Sequence, residues 1–361
     1  MSDIRYWIGF NRVPHIGPVR LGHLLETFGD LETAWKSSPG ALRAARLPKD
    51  ALESLLYWRD RIDLEMETSR IRDLGLKVVT WNSDDYPSLL RHIDDSPPLL
   101  YIKGELLPTD EWAVAMVGTR NATTYGKEVT RRLATGLTQN GVTVVSGLAL
   151  GIDGVAHRTA LEAGGRTLAV FGCSLDTVYP ARHRGLAQQI CQAGALISDY
   201  PLGTKPEARN FPPRNRLISG LSLGTVVVEA GANSGSLITL RYALEQGRET
   251  FAVPGNIYAR SYAGSNGAIQ RGEAKLVTCV RDILEELNLS MVVEQTQMRE
   301  IVPETATEET LLSCLSIEPV HIDDIVQNSE LTTSIVSSTL CMMELKGMVR
   351  RVDNMCYVLA H

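Results

Sequence analysis

The segment that most constrains this chain of 361 residues is Asn210–Ser222, where a Phe-Pro-Pro turn precedes Arg-Asn-Arg and then a run of small and apolar residues. Proline fixes its own φ angle and removes an amide donor, so the segment is expected to begin a helix and to present its polar residues there. A helix N-terminus beside guanidinium groups is suited to anions such as phosphate. The segment contains no paired carboxylates and no metal ligands. It therefore predicts a site that binds a ligand without cleaving it.

Short β-rich runs alternate with helical patterns from about residue 74 onward. The runs are Lys77–Trp81, Ala113–Val117, Val142–Val145, Thr167–Phe171, Ala195–Ile197, Gly224–Val228, Thr250–Val253 and Lys275–Thr278. The helical patterns that separate most of them are Thr124–Gln139, Val155–Ala163, Gly185–Gln192 and Leu237–Gln246. Strands that alternate with helices of this length form βαβ units with a parallel sheet covered on both faces. The sequence predicts an α/β fold, an extended Rossmann-like, doubly wound parallel sheet over residues 74–287.

Two smaller parts are predicted on either side of the sheet domain. Residues 1–73 predict a small helical domain, and Val13–Leu25 has a glycine-centred turn between two short apolar helices. This turn fits either a helix-hairpin-helix, which binds a DNA backbone through its amides, or an ordinary turn in a small bundle. Residues 309–361 predict three helices and a β-hairpin, the pattern of a winged helix. An acidic linker over residues 288–308 precedes it.

The predicted recognition helix of the winged part, residues 333–346, carries one lysine and one glutamate. A protein that reads duplex DNA needs several cations to neutralise phosphates. Only Arg350 and Arg351, in the predicted wing, would add positive charge. Contact with protein, or an auxiliary role, is favoured over sequence-specific DNA reading.

The net charge of −6 is unevenly distributed. Residues 282–310 contain eight acidic residues and one arginine, whereas residues 157–220 contain eight Lys/Arg and four Asp/Glu. A basic zone is separate from an acidic one, so the negative total does not exclude nucleic acid. With no signal-peptide pattern and no run of membrane-spanning length, we expect a cytoplasmic protein without membrane contact. The six scattered cysteines favour structural thiols over zinc ligands or disulfides.

Four unusual loops follow predicted strands, namely Val117–Arg120, Ser146–Gly154, Gly172–Arg184 and Glu229–Ser236. In an open parallel sheet, ligands bind beyond the carboxyl ends of the strands. The second and fourth loops are rich in glycine and serine and lead into helices, a geometry suited to phosphate, although glycines also serve tight turns. Four such loops at one sheet edge, with residues 211–222 nearby in the chain, predict a ligand site there.

Enzymatic interpretations of these loops are weaker. Ser146, Asp153 and His157 match a catalytic triad in residue type, but Asp153 fits a helix N-cap and no GxSxG elbow is present. Asp153 and His157 are too few for a metal site. The chain lacks GxxxxGK[ST] and a clear GxGxxG with a following acidic residue, which disfavours P-loop hydrolysis and NAD. We expect no catalytic residue, no metal and no cofactor.

Cations and aromatic residues are interleaved around these loops in a number too large for one phosphate. The cations are Arg120, Arg182, Arg184, Lys205, Arg209, Arg214 and Arg216, and the rings are Tyr125, Tyr179, Tyr200 and Phe211. Cations that follow a backbone, with rings on which bases stack, suit single-stranded nucleic acid. For each cation the alternative is a solvated face, and for Tyr179 and Phe211 the alternative is core packing.

Several segments closely resemble motifs of the bacterial DNA processing protein A family (DprA, also called Smf). They are Val117-Gly-Thr-Arg120, Ser146–His157, Tyr179-Pro-Ala-Arg-His-Arg184, Phe211–Leu221 and Glu229–Ser236. The resemblance covers roughly Leu74–Glu286. By pattern, the N-terminal part looks like that family's sterile-alpha-motif-like domain, and the tail like its winged-helix domain.

The resemblance implies a homodimer, formed through the Rossmann domain, that binds and protects single-stranded DNA. It also implies that the protein loads the RecA recombinase onto this DNA during natural transformation. The DNA site expected from the family's motifs and their neighbours comprises Gly118, Thr119, Arg120, Ser146, Gly147, Arg182, Arg184, Lys205, Arg209, Phe211, Arg214, Asn215 and Arg216. His183 stands where many relatives carry asparagine, so it is assigned no contact.

Two other functions stay open. The same Rossmann variant resembles the nucleoside 5′-monophosphate phosphoribohydrolases, which carry a PGGxGT loop followed by a catalytic glutamate. This chain has Glu229-Ala-Gly-Ala-Asn-Ser-Gly-Ser236 instead. A transcription regulator built around the winged helix is disfavoured by the low charge of its recognition helix.

Overall fold

The computed structural model describes residues 3–289, 305–315, 320–329, 331–345, 349–352 and 355–359. The chain divides into two compact units after Asn288. The first contains a nine-stranded sheet in the order β1-β2-β6-β5-β4-β3-β7-β8-β9. Its strands are β1 (Lys77–Thr80), β2 (Leu99–Gly104), β3 (Ala113–Val117), β4 (Thr143–Ser146), β5 (Thr167–Val170), β6 (Gly194–Ser198), β7 (Gly224–Val227), β8 (Glu249–Ala252) and β9 (Lys275–Leu276).

Seven neighbouring strands, from β6 across to β9, run parallel, and β3 lies at their centre. The predicted doubly wound α/β fold is confirmed. At the other edge the sheet departs from the predicted parallel arrangement, because β2, a strand that the sequence did not indicate, pairs antiparallel with both β1 and β6. Leu99–Ile102 is buried on both faces and follows two prolines, so it lacks the alternation that marks a half-buried strand.

Helices cover both faces of the sheet. Because side chains alternate along a strand, Leu100 and Ile102 pack into one layer, whereas Leu99 and Tyr101 pack into the other. The helices from residue 88 to residue 286 are α7 (Ser88–Arg91), α8 (Thr124–Gln139), α9 (Ile152–Glu162), α10 (Arg184–Ala193), α11 (Phe211–Gly220), α12 (Ser236–Glu245), α13 (Ala263–Gln270) and α14 (Val280–Glu286). The helix predicted over residues 124–139 is found with those bounds.

Six helices precede the sheet and belong to the same compact unit. These six helices are Ile4–Asn11, Pro18–Phe28, Leu31–Lys36, Pro39–Ala44, Lys49–Arg59 and Leu64–Asp73. They enclose their own core around Phe10, Leu24 and Leu55. The predicted turn lies between the first two helices, and Gly17 is the N-cap of the second. The Arg12 side chain donates a 3.0 Å hydrogen bond to the Leu202 carbonyl, which joins this bundle to the sheet domain.

The described part of the second unit contains three helices and a small sheet, as the winged-helix pattern predicts. Its helices are Ala306–Ser313, Ile322–Ser329 and Thr333–Leu345, and its strands are Val320–His321, Val349–Val352 and Cys356–Leu359. Leu311, Ile325, Val336 and Leu340 form the core. The described part of the chain does not include most of the predicted acidic linker, Lys346, or the side chains of Arg350 and Arg351.

Among the described helices, none is both long enough and apolar enough to cross a membrane.

Candidate nucleic-acid interface

A cleft of about 510 Å³ opens at the carboxyl ends of β3 and β7, which are neighbours at the centre of the sheet. From β3 the chain crosses toward β4 on one side, and from β7 it crosses toward β8 on the other. Loops that diverge in this way leave a crevice, the usual ligand site of an open α/β sheet. Six of the predicted site residues line it, namely Gly118, Thr119, Arg120, Phe211, Arg214 and Asn215.

Two aromatic rings form one wall of the cleft. The centroids of Tyr179 and Phe211 lie 5.6 Å apart with an interplanar angle of 32°. The Arg120 guanidinium lies 5.6 Å from the Phe211 centroid, a cation–π distance. Arg120 is exposed and has no carboxylate within ion-pair distance among the described residues. The wall therefore combines a partly exposed aromatic surface with an uncompensated positive charge.

Arg214 forms part of the cleft floor and does not project into solvent. Only 6% of the residue is exposed, and its guanidinium donates to the Gly147 carbonyl at 2.9 Å and to the Val170 carbonyl. Burial lowers the pKa of Arg214, while the negative charge of Asp153 opposes that shift. Gly147 lines a smaller pocket beside the cleft. The guanidinium thus ties the ends of two strands together beneath the ligand space.

The other arginine of the Arg-Asn-Arg segment points elsewhere. Arg216 pairs with Asp95 at 3.1 Å and with Asp199 at 2.6 Å, and its side chain is mostly buried. The expected placement of Arg216 in the DNA site is therefore wrong, because the two carboxylates hold its charge away from the cleft. Prolines at positions 212 and 213 also leave few amides at the start of α11, so this helix N-terminus is a poorer anion site than the sequence predicted.

Ser146 and Asp153 support the cleft from beneath. The Ser146 hydroxyl is fully buried and donates to the Met116 carbonyl at 2.6 Å, so it is not placed to contact a phosphate. The N-cap of α9 is Gly151, so the interpretation of Asp153 as the cap is wrong. The Asp153 carboxylate accepts hydrogen bonds from the Gly147 and Ala149 amides at 3.1 and 3.4 Å. Burial raises the pKa of Asp153, and Arg214 counteracts this shift.

The remaining predicted cations are all exposed and lie outside the cleft lining. Lys205 and Arg209 are at its rim, because their neighbours Pro206 and Ala208 line the cleft. Arg209 also pairs with Glu207 at 2.8 Å. Arg182 and Arg184 follow Tyr179 in a short 3-10 helix and at the start of α10. Lys205, Arg182 and Arg184 therefore add exposed positive charge close in the chain to residues that line the cleft, whereas Arg209 shares its charge with Glu207.

Sequence reasoning missed the role of Glu229. Its buried carboxylate accepts hydrogen bonds from the Thr123 amide at 3.0 Å and the Thr123 hydroxyl at 2.9 Å. Its backbone carbonyl accepts one from the Thr119 amide at 2.7 Å. Glu229 therefore fixes both ends of the loop that carries Arg120. A carboxylate directly after the apolar strand β7 was the available signal.

Two family models match the chain. The model of the DNA recombination-mediator protein A family matches residues 77–288, and the model of the DprA winged helix domain matches residues 295–355. The chain belongs to the DNA recombination-mediator protein A family. The resemblance found in the motifs is thereby confirmed, and family membership places the protein among DNA-processing recombination mediators.

Relatives of this family match most of the chain. Protein Smf of Synechocystis is 33% identical over an alignment that covers 99% of this chain and 98% of the relative. The crystal structure of DprA from Streptococcus pneumoniae is 33% identical, has a TM-score of 0.70, and covers 79% of this chain and 99% of that one. The DprA structure from Helicobacter pylori, whose subject is a single-stranded DNA binding mode, is 30% identical with a TM-score of 0.53 and covers 59% and 95%.

In this member of the DprA family, no catalytic proton relay links Ser146, Asp153 and His157, the three residues that match a catalytic triad in type. The Thr167 hydroxyl donates to the Val144 carbonyl at 2.6 Å, so it accepts at 2.7 Å from Nδ1 of His157, which therefore carries the proton. Nε2 of His157 is buried and has no hydrogen-bond partner among the described residues. Burial, assisted by His183 and Arg214, lowers the pKa of His157 to about 3.

The buried neutral histidine predicts a loss of stability in mild acid. Its pKa lies near 6.5 when unfolded and near 3 when folded, so below pH 6.5 protons favour the unfolded chain. Between pH 7 and pH 5 we expect the free energy of unfolding to fall by about 2 kcal/mol from this residue. Urea titrations of the wild type and of His157→Asn, which keeps a donor for Thr167, measure this. The exposed His92→Asn is the control. An equal fall in His157→Asn would show that another group is responsible.

Proposed function

We propose that the protein is a single-stranded DNA-binding recombination mediator whose central cleft holds the DNA strand. The observation that carries the proposal is the juxtaposition of the unpaired Arg120 guanidinium with the Tyr179 and Phe211 rings. A cation that meets the phosphate backbone, beside rings on which bases stack, is the usual combination in proteins that bind single strands. The single-stranded DNA binding of the H. pylori relative supports this proposal.

The cleft is suited to binding and not to bond cleavage. Ser146 and His157 are buried and bonded to carbonyl and hydroxyl partners below the floor. Asp153 is held by two backbone amides and by the field of Arg214. Among the described residues, no group of three or more His, Cys, Asp or Glu side chains is arranged to hold a metal ion. We infer that the strand is bound and handed over without a catalytic step.

The phosphate contacts divide into an inner and an outer set. The inner set is Arg120 with the backbone of Gly118, and Thr119, Phe211 and Asn215 complete the inner surface. The outer set is Arg182, Arg184, Lys205 and Arg209, whose exposed side chains would follow the strand as it leaves the cleft. Arg214 and Gly147 act as the structural floor of this path.

Replacement of Arg120 by alanine tests the function directly. Loss of one charge-assisted phosphate contact should weaken binding of an oligothymidylate about tenfold. The slope of log K against log salt should also become shallower by about 0.7. Fluorescence anisotropy over a salt series measures both quantities. Arg158→Ala, an exposed arginine on α9, is the matched control and should change neither.

Two results would contradict the proposal. One is equal affinity for single-stranded and duplex oligonucleotides of the same length in the wild type. The other is release of free base from AMP, which would indicate a phosphoribohydrolase.

The finer parts of the function rest on the family resemblance. We propose that the protein is a cytoplasmic homodimer, that it protects incoming single strands, and that it loads RecA onto them during natural transformation. Sedimentation velocity tests the dimer. Assembly of RecA filaments on pre-bound single strands, with and without this protein, tests the loading. A monomer at all concentrations would contradict the proposed dimer. Filament assembly at the same rate with and without the protein would contradict the proposed loading of RecA.

A further inference from the structure

The loop between β8 and α13 displays two large side chains that the cleft does not use. Tyr258 is 90% exposed and Ile257 is 79% exposed. The loop follows the carboxyl end of β8, so it lies at the same edge of the sheet as the cleft. Large apolar side chains that adjoin one another in solvent mark an interaction site more often than scattered ones do.

The loop that carries them is firmly held. Gly255 and the Asn266 side chain exchange two hydrogen bonds of 3.0 Å, and the Asn256 side chain accepts from the Tyr258 amide at 2.9 Å. A Cβ atom at Gly255 would overlap the Tyr262 ring, so the backbone packs tightly there. The exposure of Tyr258 is therefore a feature of an ordered turn.

A second ring lies beside this turn. Tyr125, in the first turn of α8, is half exposed and donates from its hydroxyl to the Pro254 carbonyl at 3.1 Å. It also packs edge-on against Tyr262, with centroids 5.8 Å apart. We call the surface formed by Tyr125, Ile257, Tyr258 and Arg260 the outer ledge.

The outer ledge is continuous with the cleft. The Thr123 hydroxyl contacts the Glu229 carboxylate at 2.9 Å and the Tyr262 hydroxyl at 2.7 Å, so the Arg120 loop is joined to the ledge. The amides of Gly264 and Ser265 also donate to the Ala230 carbonyl, in the loop that forms the far wall of the cleft. A strand that leaves the cleft past Arg120, away from Tyr179, would meet the ledge next.

The charges around the ledge favour a polyanion over a protein partner. Residues 253–272 contain no acidic residue, and Arg260 is exposed among them, whereas Arg271 pairs with Glu273 at 2.7 Å. Lys127 is exposed two positions after Tyr125, and the nearby Glu128 pairs with Arg131 at 3.0 Å. Exposed rings among cations are the features of a base-stacking platform.

We propose that the outer ledge is a second station for single-stranded DNA, on which bases stack after the strand has left the cleft. The proposal rests on the function proposed above. It adds Tyr258 as the principal stacking residue and Tyr125 as its neighbour, with Arg260 and Lys127 placed for the intervening phosphates.

The test uses the full chain and oligothymidylates of about 4 and about 16 nucleotides, the range of site sizes that single-strand binding modules cover. Tyr258→Ala should weaken binding of the long oligonucleotide about tenfold, because one base loses the ring on which it stacks. Binding of the short one, which the cleft alone accommodates, should not change. Tyr258→Phe, which keeps the ring, should bind both like the wild type.

Other outcomes separate the two proposals. If Arg120→Ala weakens both oligonucleotides and Tyr258→Ala weakens neither, the ledge is not a DNA station and the cleft stands. If Tyr258→Ala weakens both lengths equally, the ledge is not a separate station. If it instead abolishes self-association in sedimentation velocity and leaves DNA binding intact, the surface contacts a second copy of the chain. If Arg120→Ala changes neither affinity, the proposed function itself fails.

Discussion

Replacement of Arg214 by alanine is expected to lower the free energy of unfolding by about 3–6 kcal/mol, because it removes two hydrogen bonds of a buried guanidinium, each worth about 1.5–3 kcal/mol. The substitution leaves the Gly147 and Val170 carbonyls without their donor and Asp153 without its compensating charge. It also removes the cation that lies 5.7 Å from the Phe211 centroid. Chemical denaturation monitored by fluorescence and circular dichroism measures the loss.

The matched control is Arg209→Ala, an arginine in the same region whose side chain is 80% exposed. It should change the unfolding free energy by no more than about 0.5 kcal/mol. In an Asp153→Asn background the cost of Arg214→Ala should shrink, because the carboxylate no longer needs compensation. If Arg214→Ala keeps wild-type stability and loses only DNA affinity, Arg214 is a direct DNA ligand and its structural role is refuted.

Gly151→Ala is expected to lower stability by at least about 2 kcal/mol and to weaken single-stranded DNA binding as well. Gly151 has a φ of 78° and a ψ of −128°, which L side chains rarely adopt. A Cβ atom there would also overlap the Thr119 and Arg120 carbonyl oxygens. The Arg120 loop would have to move away from the loop that precedes α9.

A comparison with Gly164→Ala separates the cost of backbone strain from the effect of moving the Arg120 loop. Gly164 also has a positive φ, of 77°, but a Cβ atom there would meet no atom within 4 Å. It should therefore cost some stability, about 1 kcal/mol, and leave DNA affinity unchanged. Denaturation and anisotropy on both variants test the comparison. Equal behaviour of the two would mean that the contact with the Arg120 loop has no effect.

The strands and the site edge were predictable from sequence because they depend on local pattern. Apolar runs separated by helical periods indicated the parallel sheet, and glycine-rich loops after those strands indicated the edge that binds ligand. β2 was missed because only the four-residue α7 lies between β1 and β2, so this strand falls outside the alternation of strands and longer helices on which the prediction depended. Without β2, the antiparallel pairing at this edge of the sheet was not predicted either.

The direction of each arginine was not predictable in the same way. Arg214 and Arg216 lie on either side of Asn215, yet Arg214 donates to the carbonyls of Gly147 and Val170 and Arg216 pairs with Asp95 and Asp199. Those partners are distant in sequence, so local pattern does not indicate which charge is neutralised. Glu229 and Tyr258 were overlooked for the same reason, since their significance comes from neighbours that only the tertiary structure brings close.

The different directions of Arg214 and Arg216 restrict how the length of α11 can change. Side chains two positions apart on an α-helix point about 160° apart, so α11 separates the cleft from the contact with the N-terminal bundle. Insertion or deletion of one residue between Arg214 and Arg216 would turn one of them by about 100° relative to the other, so the two could not both keep their partners. The spacing of the two arginines is therefore fixed by their partners on opposite sides of α11, whereas a loop that contacts only ligand has no such restriction on its length.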